Sequence, residues 1–282
     1  MRAARSTEGA EGGRVPNRTP DRPMLKKIFS SNSRLARYAT SAVALALGAA
    51  LWQVIASQTN PAFLSSFTAT LGGIGEFIES GALLRAMRSS LLVYLTGLSA
   101  AIVLGIGIGI LLARVRLLRI GLESYIMVLY ATPMVALIPF IMSMMGFGFA
   151  PKALVVFLFA FFSVLYNTVE GARSLKPEML EVARSFRSGE WGVWRDLLIP
   201  YTLPFAMTGV RQGIGRGLVG LIAGEFFLSG TGIGLLIMQS ERDFNVPGLY
   251  GSILVVTILG VLLMAVGRGL ENRFAAWRGL NR

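Results

Sequence analysis

The chain has 282 residues, of which 54% are apolar and only 15% charged, and it carries a formal net charge of +12. It contains no cysteine and no histidine, which excludes disulfides and a Ser-His-Asp triad and leaves no thiolate or imidazole ligand for zinc. No G-x-x-x-x-G-K-[ST] run occurs, and none of the four lysines (Lys26, Lys27, Lys152, Lys176) follows a glycine, so the chain has no P-loop to hold a nucleotide.

The apolar residues gather in blocks of about twenty, the length of a membrane-crossing helix, rather than in alternating strands. The blocks predict an all-α membrane protein with spans at about 39–56, 90–113, 122–145, 152–168, 203–228 and 249–267. Residues 1–37 read as a basic tail and 38–282 as the transmembrane domain. The first 23 residues carry almost no apolar side chains and are too polar to fold alone. Met24 looks like an alternative start, and the first span reads as retained rather than as a cleaved signal.

Basic residues cluster before the first span (Lys26, Lys27, Arg34, Arg37), after the second (Arg114, Arg116, Arg119) and after the sixth (Arg268, Arg273, Arg278, Arg282). Six spans put all three clusters on one side, which places both termini in the cytoplasm by the positive-inside bias. Topology therefore accounts for the net charge, and no nucleic-acid partner is expected. Residues 57–89 read as an external loop with one short interfacial helix. In the second span, Gly105 and Gly109 form a small-xxx-small pair that lets another helix approach closely.

Pro133 and Pro139 break the third span, as suits a helix lining a pathway, although helix packing alone also explains such kinks. Asn167 and Thr168 close the fourth span. Then comes a polar insert, 169–202. Pro177 suits a first helical position and Glu178 the positive end of a helix dipole. Met179, Val182, Ala183 and Phe186 recur at helical spacing as one apolar stripe, with Glu181 and Arg184 on the polar side. Gly189 ends this helix, and a second segment containing Trp191 and Trp194 leads into Pro200. The stripe suits a cleft in a partner protein. The alternative is a helix lying on lipid headgroups, for which the stripe is short. In the fifth span, Arg211, Arg216 and Glu225 are intramembrane charges and therefore functional candidates.

The stretch from about Leu83 to Arg278 resembles the permease subunits of ABC importers for nitrate, taurine and alkanesulfonates. The matching residues are Asn167, Thr168 and Gly171, then Glu181, Ala183 and Arg184 as an E-A-A-R core, and Ile199-Pro200 closing the motif. Leu203-Pro204, Thr208 to Arg211, Gly224-Glu225, Gly232 to Gly234, Asp243-Phe244 and Trp277-Arg278 follow in order. Val182 stands where the family usually has Ala, and Arg187 stands where it has Gly, with Gly189 two places later. Either the turn has slid to Gly189 or the coupling helix is half a turn longer.

The resemblance implies a type I importer fold with six spans in a bacterial inner membrane. It implies a second permease copy, two cytoplasmic ATPase subunits that hold ATP and Mg, and an external binding protein. This chain would bind no cofactor or metal and would carry no enzyme chemistry. Glu181, Val182, Ala183, Arg184, Phe186, Arg187, Gly189 and Pro200 would couple to the ATPase. Pro133, Pro139, Asn167, Thr168, Arg211, Arg216 and Glu225 would line the pathway or its gate, with Arg216 attracting an anion and Glu225 pairing with an arginine. An ion-coupled secondary transporter is the alternative, but Glu225 is its one candidate midplane carboxylate and no inverted repeat is evident.

Overall fold

A computed structural model describes residues 34–228 and 230–275, and every regular element among them is helical. They fall into two units divided at Leu51. The first contains the opening turns of α1 (Arg34–Ser57), a run rich in Ala, Leu and Val. The tail expected over 1–37 lies outside the described residues up to position 33.

The second unit starts with the end of α1, where the Trp52 Nε1–H donates to the Ser65 carbonyl at 3.0 Å. Helix α2 (Phe67–Glu79) is capped by Ser66, whose Oγ accepts from the Ala69 N–H at 3.2 Å. Three long helices then build the bundle: α3 (Ala82–Arg114), α6 (Phe149–Arg173) and α8 (Ile199–Phe227). Their shared core contains Val93, Tyr94, Ala101, Val156, Ala160, Val164, Val210 and Ile214. The Tyr94 hydroxyl is satisfied inside it by the Ile214 carbonyl at 2.8 Å.

Small residues set how closely α3 and α6 approach. A Cβ placed on Gly105 would lie 2.9 Å from Val164 Cβ, and one on Gly109 would lie 2.7 Å from Thr168 Cβ. The Gly105/Gly109 pair thus serves packing within the chain, at separations that real side chains do not reach. The α3 helix begins eight residues earlier than the span expected at 90, because Gly81 adopts a left-handed φ of 67° and turns the chain out of α2.

The third expected span is not one helix. It comprises α4 (Arg116–Ala131), a 3₁₀ turn (Met134–Leu137) and α5 (Ile138–Met145), and its two halves are bent by 91°. The break sits at Thr132-Pro133, where Thr132 is extended, as a residue before proline prefers, and Pro133 offers no N–H to continue the helix. Pro139 lies in the first turn of α5, where a missing N–H costs nothing, so it does not add the second kink expected of it.

The chain then runs through α7 (Pro177–Ser185), a short turn and a π-helical stretch (Val193–Leu198) into α8. The last elements are α9 (Ile233–Arg242) and α10 (Val246–Ala275). Backbone atoms of Pro247 and Gly248 lie where a Cβ on Gly73 of α2 would stand, so α10 and α2 meet closely. Among the described residues, four helices (α1, α3, α6, α10) are long and apolar enough to cross a membrane, or five if the bent α4–α5 pair is one span. Helix α8 has the length but carries Arg211, Arg216 and Glu225.

Candidate functional site: an exposed loop helix and three charged positions

The α7 helix stands out from the bundle because its sequence builds a complete short helix with little to bury it. Lys176 is extended at the N-cap, Pro177 takes the first position and Glu178 lies in the first turn. The C-terminus is a Schellman motif: the Arg187 N–H donates to the Arg184 carbonyl at 2.8 Å and the Ser188 N–H to the Ala183 carbonyl at 3.1 Å. Arg187 occupies the left-handed position of that motif, with φ 53°, while Gly189 is extended at φ −63°. The turn has therefore not slid to Gly189, and the helix has not lengthened. Arg187 itself takes the strained conformation, at a cost of about 1–2 kcal/mol for a side chain with a Cβ.

Met179, Val182 and Ala183 line one wall of a groove of about 490 Å³, with Val193 and Leu197 of the following segment on the other and Glu178 and Asp196 at its edge. Phe186 is 80% exposed and Trp191 74% exposed, which makes this an apolar surface without cover in the isolated chain. Among the described residues Glu181 and Arg184 form no ion pair with each other. Pro200 sits in the first turn of α8.

Two clasps fix this loop to the bundle. The Arg114 guanidinium, at the end of α3, pairs with Glu190 and lies 5.3 Å from the Trp194 ring centroid. The Tyr201 hydroxyl donates to the Ser174 carbonyl at 2.9 Å. In the sequence Arg114 stands out only as a member of a basic cluster. Its partners are 76 and 80 residues away, and nothing local announces them.

The charged positions of α8 go to three different places. Arg211 pairs with Glu271 of α10 at 2.6 Å, and the Thr208 hydroxyl donates to the same carboxylate at 2.9 Å. Arg216 is exposed, its Nη2 donating to Tyr130 Oη at 2.8 Å while its guanidinium carbon lies 4.6 Å from the Tyr130 ring centroid. Tyr130 stacks on Tyr166 with centroids 5.2 Å apart, two residues before the break at Thr132. One helical turn earlier, Gln212 accepts from Asn167 Nδ2 at 3.2 Å, and the same amide donates to the Ser163 carbonyl. Thr168 is fully buried, its hydroxyl donating to the Val164 carbonyl at 2.7 Å.

Glu225 is also fully buried, and its partners are not arginines. Ser90 Oγ of α3 donates to Oε1 at 2.5 Å, and the Gly234 N–H at the start of α9 donates to Oε2 at 2.7 Å. Ser90 Oγ in turn accepts from the Ile233 N–H at 2.9 Å. Lys152 of α6, only 2% exposed, donates to the Thr231 carbonyl and hydroxyl at 3.0 and 3.1 Å and adds its charge nearby. Gly232 has φ 116°, and a Cβ there would run into the Glu225 carboxylate. Four helices thus meet on one buried carboxylate. Ser90, Lys152 and Thr231 escaped sequence reading because they are polar residues scattered over 142 positions.

The chain matches the permease of a putative aliphatic sulfonates transport system of Bacillus subtilis at 27% identity, over 81% of this chain and 84% of that one. The riboflavin transport system permease of Chloroflexus aurantiacus is 29% identical, over 83% and 88%. The nitrate import permease of Synechocystis is 26% identical, over 86% and 91%. The fold is similar to that of a chain in the MetNI methionine ABC transporter solved in inward facing conformations, with a TM-score of 0.59 at 15% identity, over 70% of this chain and 97% of that one. The model of binding-protein-dependent transport system inner membrane components matches residues 101–277, well over half of the sequence, and the chain belongs to that family of ABC importer permeases.

Proposed function

We propose that the chain is the pathway-forming subunit of an importer in a bacterial inner membrane, working as a pair of copies with two separate ATPase subunits and an external binding protein. The observation that carries this reading is α7: a short helix closed by a Schellman motif, whose apolar side lines an open groove and whose loop is tied to the bundle at both ends. A partner surface is the natural cover for such a helix. The sequence has no P-loop, and on this reading ATP and Mg would bind in that partner.

Six crossings follow if α8 spans with α1, α3, α4–α5, α6 and α10. Both termini and the α7 loop then share the basic, cytoplasmic side. Closure of the ATPase dimer would draw the two α7 helices together and rock the bundles toward the outside, and hydrolysis would return them. We read the solute as small and anionic, of the sulfonate, taurine or nitrate class. Two of the three relatives above are named for anions, and α8 carries an exposed arginine; the third is named for riboflavin, so the anionic reading rests more on the arginine.

Reconstitution tests the reading. Uptake of labelled nitrate or ethanesulfonate into proteoliposomes should require ATP, the ATPase and the binding protein together. Uptake by this chain alone, driven by a proton or sodium gradient, would overturn it.

A further inference from the structure

Arg216 poses an electrostatic problem that the chain does not solve by itself. It lies 17 residues into a 29-residue helix, which puts it about 26 Å along α8 from Ile199 and about 16 Å from Phe227. Both distances exceed the reach of an arginine side chain, so its guanidinium reaches neither end of α8. Yet it is exposed. A guanidinium at this depth cannot face hydrocarbon and must face water, protein or solute.

A carboxylate from a second copy would be the ordinary answer, and the described residues do not offer one. Of the carboxylates among the described residues, Glu225 is enclosed by Ser90 and Gly234, Glu123 is held by Arg173, and Glu271 by Arg211. The other described carboxylates belong to α2, to the end of α6, to the α7 loop or to the end of α9, all near one end of a helix of the bundle. Among the described residues, no unpaired carboxylate lies midway along a long helix, where it could meet Arg216 from a second copy.

The local chemistry is instead arranged for a mobile anion. One N–H rests on Tyr130 Oη, which orients the plane and leaves further N–H donors free. Accepting that bond also leaves the Tyr130 O–H as a donor of its own. Tyr166 stacks behind Tyr130 and holds it in place. We infer that Arg216 and Tyr130 form a transient contact site on the solute pathway for a small oxyanion such as a sulfonate or nitrate, held by charge-assisted hydrogen bonds. This deepens the permease reading and rests on it. It also requires that the face of α8 bearing Arg216 line water rather than lipid or a mated copy.

The absence of cysteine permits a direct test. Val219 is 59% exposed and stands three residues from Arg216 on the same side of α8, without a part in the proposed contact. Val219→Cys is introduced into the full chain, assembled with its ATPase in proteoliposomes. Its reaction rates with a sulfonate-bearing and a trimethylammonium-bearing methanethiosulfonate are read by the mass of this chain. The anionic reagent should react faster, and Arg216→Gln should lower the anion-to-cation rate ratio by about tenfold at low salt, with Arg216→Lys restoring most of it. A ratio unchanged by Arg216→Gln would overturn the proposal. So would a thiol that resists both charged reagents but reacts with a lipid-soluble maleimide, because the face would then be covered or in lipid. ATPase co-purification, measured on the same samples, reports separately on the permease reading.

Discussion

At the residue scale, two side chains occupy positions that physics would not choose for them in isolation. Arg187 sits in a left-handed conformation where glycine is at ease, and the Schellman hydrogen bonds hold it there. Replacing Arg187 with Gly should relieve about 1 kcal/mol at the end of α7 and slow amide hydrogen exchange in that helix roughly fivefold. Unchanged exchange would mean that the turn carries no strain. Glu225 is the opposite case, a carboxylate with no exposure that is fully committed to its neighbours. Glu225→Ala leaves the Ser90 O–H and the Gly234 N–H without an acceptor and Lys152 without its nearby countercharge, and should cost about 3–5 kcal/mol in thermal unfolding in detergent. Glu225→Gln keeps most of the hydrogen-bonding shape and should cost distinctly less. Equal melting of both variants with wild type would refute a structural role for this cluster.

At the scale of elements, α7 and its attachment matter most. The pairing of Arg114 with Glu190 is largely solvent-exposed and adds little stability, as surface ion pairs do. Its value is positional, because with Trp194 it ties the end of α3 to the segment that follows α7. Arg114→Ala should therefore leave the melting temperature nearly unchanged while lowering solute transported per ATP hydrolysed. Exchanging the charges, Arg114→Glu with Glu190→Arg, should recover part of that ratio. Loss of stability without loss of coupling would point to a merely structural clasp.

The same elements show what the sequence made legible. The start of α7 was readable from Pro177 and Glu178, because capping and dipole signals are local. So was the break at Pro133. The stop of α7 is not legible, because the sequence offers Gly189 as a terminator two residues on, while the hydrogen bonds close the helix at Arg187. The second kink expected at Pro139 vanished for a related reason: once the helix restarts at Ile138, that proline falls in a first turn. The 91° bend between α4 and α5 and the partners of Arg114, Arg216 and Glu225 depend on contacts distant in sequence, for which no periodicity speaks.

For the whole molecule, the arrangement separates two ends. The α7 loop and its exposed apolar groove lie where α8 begins, and the buried Glu225 cluster lies near where α8 ends, about 40 Å apart along that helix. Between them α3, α6 and α8 pack through small residues into one body. A push on α7 would then be carried to the far end as a movement of that body, as alternating access requires. The measurement that tests this most directly is co-purification in mild detergent, comparing wild type with the double variant Glu181→Ala/Ala183→Glu. The account predicts that an ATPase subunit stays with the wild type and is lost from the variant, since a carboxylate would enter the groove wall at Ala183. If no ATPase accompanies the wild type, or if the variant retains it fully, α7 is not the coupling element and the central claim fails.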